Sequence, residues 1–216
     1  MRVIPTTNPR RRPRQARAQA TVEAIVKATA QVLVEEGYDR ASTNRIAHAA
    51  GVSIGSLYQY FPSKEALVSA LVGSHQQRMR EALEGALASY RPPSLPLRAR
   101  VLVQGMIRAY RVDPRLHHVL CQEVPKVGEL ANVYGFEQHL AEACRRELFS
   151  VDDRLRLQDK DRAVFMLVHA IPSVVRAAIQ ADPAGQSDER LASDLTDMIV
   201  RYLSSEPAEI SASAAE

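Results

Sequence analysis

Residues 50–67 read AGVSIGSLYQYFPSKEAL, and the order of small, hydroxyl and apolar side chains in this stretch decides the fold. Gly51 takes a positive φ cheaply, which suits a tight turn between two steeply crossing helices. Val52 is placed to plug the inner angle of that turn, while Ala47 and Ala50 are small enough to let two helix backbones approach. Ser53 can cap the open N–H groups of a very short helix running through Tyr60. Pro62 then forces the chain out of helix, and Ser63 can cap the next one. The stretch therefore predicts a helix-turn-helix.

Working outward, Ser42 can cap a short helix that carries Ile46, Ala47 and Ala50 inward and stops at Gly51. Before it, Val22, Ile25, Val26, Ala30, Val32 and Leu33 recur near 3.6-residue spacing, predicting a helix over 20–36 that Gly37 ends. Residues 1–19 begin with three prolines and Arg10, Arg11, Arg12 and Arg14, too polar to bury apolar surface, and are expected to be a disordered Arg-rich arm. Downstream, Leu67, Leu71, Met79, Leu83 and Leu87 predict a long fourth helix. A proline-rich break follows at 91–96, where Ser94 can cap a helix holding Val101, Leu102, Met106 and Tyr110. Further helices are expected over 114–123, 127–148, 160–181 and 188–204, with a disordered tail over 205–216. Few β-branched alternating runs interrupt this pattern, so the fold class is all-α with about nine helices. The expected organisation is an arm over 1–19, a helix-turn-helix domain over 20–66, a helical body over 67–204 and the tail.

On the short third helix, Leu57 and Phe61 fall at i and i+4 and face the core. That leaves Ile54, Gly55, Ser56, Tyr58, Gln59 and Tyr60 on or near the open side. Side chains on such a face reach base edges in the major groove of duplex DNA. Gln59 can bond adenine in a bidentate way, Ser56 is less choosy, Ile54 can touch a thymine methyl, and Gly55 keeps the backbone close. Tyr58, Tyr60, Thr43, Arg45 and Lys64 offer hydroxyls and charges to phosphate oxygens, which set register without reading sequence.

Charge placement agrees. Residues 1–72 hold 10 Lys/Arg against 5 Asp/Glu, and the remainder holds 18 against 20. A basic front on a mildly acidic body points to a polyanion, with nucleic acid ahead of an anionic membrane surface. Cys121 and Cys144 show no zinc or disulfide spacing, which fits a reducing cytoplasm. The N-terminus lacks the apolar stretch of a signal peptide, and no membrane-spanning run of about 18 apolar residues is expected. No phosphate loop, nucleophile elbow or zinc-protease motif gives enzyme chemistry a footing, and no cofactor or metal is expected.

With Gly51, Val52, Ser53, Gly55, Leu57, Tyr58, Tyr60, Phe61, Ser63, Lys64 and Glu65 at these spacings, residues 20–67 resemble the DNA-binding domain of the TetR family of bacterial regulators. The resemblance implies that Thr43, Arg45, residues 53–60 and Lys64 form the DNA surface. It further implies a helical body with an internal pocket and a four-helix dimer interface. The dense Arg cluster before the first helix departs from the family pattern, and minor-groove contact is one role for it.

The function expected is a ligand-responsive transcriptional regulator, a repressor first, binding an inverted-repeat operator as a homodimer and released by a small, mostly apolar effector. A ligand-independent activator or architectural protein is the alternative. A metal-dependent enzyme using His117, His118 and Cys121, with an incidental helix-turn-helix, is a remoter one. Candidate pocket residues are Met106, Tyr110, His117, Cys121, Tyr134, Phe136, His139, Phe165, Met166 and His169, whose polar tips on apolar bodies suit an orienting pocket. Two apolar stripes are assigned to the dimer interface: Val164, Val168, Ile171 and Val175, then Leu191, Leu195, Met198, Ile199 and Tyr202.

Overall fold

The computed structural model describes residues 13–88, 92–123, 135–149 and 159–204. Among these residues there are nine helices and no strand. In chain order they are α1 (Pro13–Arg40), α2 (Thr43–Ala50), α3 (Ile54–Tyr60), α4 (Lys64–Ala88) and α5 (Leu95–Tyr110), then α6 (Pro114–Glu123), α7 (Gly135–Leu148), α8 (Lys160–Ala181) and α9 (Asp188–Ser204).

Most ends follow from the local sequence. Ser42 Oγ accepts from the Arg45 N–H, Ser53 Oγ from Ser56 and Ser63 Oγ from Ala66, opening α2, α3 and α4. Gly51 closes α2 in the left-handed region at φ 67°. Asp159, whose side chain accepts from the Arg162 N–H, caps α8. Ser94 is in the cap position of α5 but makes no side-chain cap bond; Pro in the first turn lowers the number of N–H groups needing one.

The first helix differs at both ends from the expected 20–36. It starts at Pro13, so residues 13–19 of the expected arm are helical. Arg, Gln and Ala are strong helix formers, and proline is tolerated in a first turn. At the other end Gly37 interrupts the helix at φ 77°, ψ 169°, and one more turn follows to Arg40. Ala41 N–H donates to the Gly37 carbonyl at 3.2 Å.

The helices form two compact units. The first comprises the described parts of residues 1–75 and 115–133. Its core holds Ile25, Leu33, Ile46, Leu57, Leu67 and Leu71 together with Leu116 and Leu120 of α6. The expected domain boundary at 66/67 therefore moves: α4 contributes to this core as far as Val72, and α6 belongs here rather than to the body. Periodicity shows that α6 has an apolar face but not which core receives it.

The second unit comprises the described parts of residues 76–114 and 134–216. Met79 and Leu83 of α4 join Leu102, Val103 and Met106 of α5, Phe136 and Leu140 of α7, Val164, Leu167, Ile171 and Ile179 of α8 and Leu195, Ile199 and Leu203 of α9. Arg111, just beyond α5, fastens the turn between α8 and α9. Its guanidinium donates to the Asp182 and Pro183 carbonyls, both at 2.8 Å, and to both Asp188 carboxylate oxygens at 2.6 and 2.9 Å. Hydrogen bonds from Ser187 hold the Asp182 carboxyl below its ordinary pKa.

One expectation about hydropathy is corrected. Within α8 an 18-residue window has a mean hydropathy of 1.5, long and apolar enough to cross a membrane by length and composition alone. Its Ala163, Val164, Leu167, Val168, Ile171 and Val175 lie in the core of the second unit, the other cause of such a composition.

The backbone at Gly37 occupies a region essentially closed to other residues. Gly37→Ala is expected to cost about 1–3 kcal/mol of stability, read as a lower urea midpoint with an unchanged slope.

Candidate nucleic-acid interface

The reading face is built by burying its reverse side. Leu57 is fully buried and Phe61 nearly so, which turns the rest of α3 outward. Tyr58 is 50% exposed, Ile54 38% and Tyr60 37%. Ser53, Gly55 and Gln59 are also exposed, and Ser56 is half-buried. The two tyrosines are thus not core aromatics. Thr43 Oγ1 and Tyr58 Oη lie 3.1 Å apart, joining the start of α2 to the face of α3. Ser53 Oγ and Ser56 Oγ lie 2.9 Å apart at the start of α3.

The two cations expected on this surface are engaged. Lys64 donates from Nζ to the Tyr38 carbonyl at 2.9 Å and the Ala41 carbonyl at 3.2 Å. The same ammonium sits 4.0 Å from the centroid of the buried Tyr38 ring. Lys64 is therefore a strut across the end of α1, and its expected outward reach to phosphate is revised accordingly. The extra turn after Gly37 brings the two carbonyls to it. Burial and the neighbouring Glu65 push the Tyr38 phenol above its ordinary pKa, while the backbone N–H and Ser63 hydroxyl hold Glu65 below its own.

Arg45 donates from Nε, at 2.9 Å, and from Nη2 to the same oxygen, Oε1 of Glu36. The Arg45 side chain is 60% exposed and that of Glu36 22%. Sequence reasoning missed Glu36, Tyr38 and their hold on the two cations. The only available signal was the side-by-side placement of Glu35 and Glu36 in a basic segment.

Comparison with known proteins now bears on this geometry. The family description "Bacterial regulatory proteins, tetR family" matches residues 25–71, and "Tetracyclin repressor-like, C-terminal domain" matches residues 94–203. The chain belongs to the TetR family. It is 33% identical over 91 residues to the nucleoid occlusion factor SlmA of Glaesserella parasuis, covering 40% of this chain and 41% of that one. It is 37% identical over 62 residues to the transcriptional regulator UidR of Escherichia coli K12, covering 27% of this chain and 32% of that one. The chain thus aligns with less than half the length of these curated relatives. The fold is also that of the fatty acid degradation regulator FadR of Bacillus halodurans, with a TM-score of 0.66 at 22% identity, covering 89% of this chain and 97% of that one.

Helices α5 to α9 carry most of the remaining candidates, but the structure sorts them differently from the sequence. Met106, Tyr110 and Phe136 are buried, with the Tyr110 and Phe136 rings edge to face at 5.7 Å between centroids. His139 is half-buried, with Nε2 2.8 Å from Glu84 Oε1, a carboxylate that also takes Arg146. Phe165, Met166 and His169 are exposed on α8, so they do not line the interior of the chain. Tyr134 lies outside the described residues.

His117 and Cys121 belong to the first unit, not to the body. There His117 Nδ1 is 3.3 Å from Nε2 of the buried His75, and His117 Nε2 is 3.4 Å from Cys121 Sγ. His117 spends its two ring nitrogens in opposite directions, which describes a hydrogen-bonded chain rather than three ligands around one point. Among the described residues no three His, Cys, Asp or Glu side chains are grouped to hold a metal. In the body, burial pushes the Cys144 thiol up to about 12, so it stays protonated and unreactive.

The expected dimer stripes are also largely corrected. Val164, Val168, Ile171, Val175, Leu195 and Ile199 are buried within the chain, Leu195 to 4% exposure, and Leu191 is half-buried. Of the nine, Met198 and Tyr202 are exposed. Phe165, Met166 and Val174 of α8 are exposed as well, so the open apolar side chains of these two helices differ from the stripe assigned from spacing.

Because the Lys64 ammonium serves carbonyl groups, its loss is a stability defect first. Lys64→Met is expected to cost about 1–3 kcal/mol in urea unfolding. An unchanged midpoint would show that the strut carries no weight.

Proposed function

We propose that this TetR-family chain is a ligand-responsive transcriptional regulator, acting as a repressor by occluding an inverted-repeat operator that it binds as a homodimer in the cytoplasm. The observation that carries the reading is the split of α3, with Leu57 and Phe61 buried behind it while Ile54, Tyr58, Gln59 and Tyr60 stand exposed in front. A seven-residue helix with that division presents side chains to a major groove and leaves its far side to the core.

In this reading Gln59, Ser56 and Ile54 meet base edges, Gly55 lets the backbone approach, and Ser53, Thr43, Tyr58 and Tyr60 take phosphate oxygens. Arg45 lies beside them. The arginines of residues 1–12 lie ahead of α1 and add charge for an adjacent minor groove. Two subunits present two such faces about 34–36 Å apart on one side of the duplex.

A second copy is the partner that suits the open apolar side chains of α8 and α9. Phe165 and His169 are one turn apart with rings 4.4 Å from centroid to centroid, and Met198 and Tyr202 are likewise one turn apart. Packing four such helices across a two-fold axis would cover these side chains. The effector is a small, mostly apolar molecule taken up by the body, where Met106, Tyr110 and Phe136 would surround it. It acts by favouring a body conformation that spoils the spacing of the two reading faces, a coupling of about 1–3 kcal/mol.

Low-salt selection of genomic fragments by the purified chain tests the whole reading. A shared two-fold sequence among the retained fragments is expected, and retention without any preference overturns it. Gln59→Ala should change which base is favoured at one position of each half-site, with little effect on binding to mixed-sequence DNA. Phe165→Glu should halve the mass in sedimentation, and a wild-type mass would remove α8 from the interface.

A further inference from the structure

Arg45 lies in the first turn of α2 at the surface proposed to meet DNA, yet its Nε and Nη2 both donate to one carboxylate oxygen of Glu36, near the end of the regular part of α1. The acid is the better held of the two. Glu36 is 22% exposed and its own backbone carbonyl accepts from Arg40 Nε at 2.9 Å, whereas Arg45 is 60% exposed. Glu35 precedes it and adds a second negative charge. Lys64, the other cation expected on this surface, is turned to backbone carbonyls. The charge that the start of α2 offers a duplex is therefore set by how Glu36 and Arg45 divide it.

Two physical roles compete for such a pair. In the first, Glu36 orders a long, flexible side chain in advance, so that binding loses less rotamer freedom. In the second, the carboxylate cancels the arginine charge and repels an arriving phosphate. An exposed ion pair is worth little by itself, so the ordering it imposes is slight. A carboxylate held within hydrogen-bond distance of the guanidinium, by contrast, stays close to any phosphate that the guanidinium touches. Repulsion acts over about 10 Å at 0.1 M salt, whereas the ordering needs the contact itself to persist.

We infer that Glu36 acts through Arg45 as a charge brake, holding down sequence-independent attraction to DNA so that the face of α3 decides where the protein stays. This rests on the reading that α2 and α3 meet DNA. Counterion release makes the brake measurable, because each phosphate neutralised contributes about 0.9 to the slope of log affinity against log salt. Removing the carboxylate charge with Glu36→Gln, which keeps an oxygen for Arg45, should steepen that slope by about 0.9 and tighten binding about eightfold at 0.1 M salt. The gain should vanish towards 1 M salt.

The test is a set of four full-length proteins titrated against a labelled 30-base-pair duplex of mixed sequence across a salt series. The set is wild type, Glu36→Gln, Arg45→Ala and the double variant. A charge brake places Glu36→Gln tightest, wild type and the double variant together, and Arg45→Ala weakest, with slopes in the same order. If Glu36 instead serves to orient Arg45, wild type is tightest and all three variants fall together, and the proposal is overturned. Equal slopes in all four overturn it as well. Should Glu36→Gln fail to fold, Glu36→Ala takes its place, and a slope that does not steepen against wild type sinks the brake. Absence of binding by wild type itself would sink the reading of the DNA face, an outcome distinct from the four-way order.

Discussion

Burial of Leu57 is the constraint on which the DNA-facing end of this protein depends. A seven-residue helix is too short to be stable alone, so α3 exists because one side chain is gripped by the core of Ile25, Leu33, Ile46 and Leu67. That grip fixes the rotation of the helix about its axis and, with it, which side chains point outward. Gly51 and the caps at Ser42 and Ser53 set where the helices begin and end. They do not choose the outward face.

Polar side chains around this core do a different task from the one their charge suggests. Lys64 and Arg45 each look like phosphate ligands in a basic segment, and each is engaged by the protein itself. In the body, Arg111 gathers two carbonyls and a carboxylate at the turn between α8 and α9. Long cations reach across gaps that apolar side chains cannot fill, and their donors suit the orphan carbonyls at helix ends. Counting positive charges therefore overstates what a surface offers to DNA.

The helix-turn-helix was legible because its signals are local. Gly51, Ser53, Pro62 and Ser63 act on backbone groups within a few residues, and Leu57 and Phe61 need only helical spacing. The ranges of α6, α8 and α9 were legible for the same reason. Where the reading went astray, the missing information was long-range. In α8 apolar residues cover more than one side, so spacing alone could not tell Val164 and Val168, which are buried, from Phe165 and Met166, which are open. The placement of α6 with the first unit, and of His117 beside His75, depends on a residue far away in sequence. The hold of Glu36 on Arg45 is of the same kind.

In α4, Leu67 and Leu71 are clasped by one core and Met79 and Leu83 by the other, on a single unbroken helix of 25 residues. Between the two clasps stands Gly73, exposed and with open space where a side chain would be. Glycine weakens a helix interior by about 0.5–1 kcal/mol relative to alanine. A methyl group at Gly73 would meet no neighbour, so the local weakness of α4 at that position comes from the residue type and not from crowding.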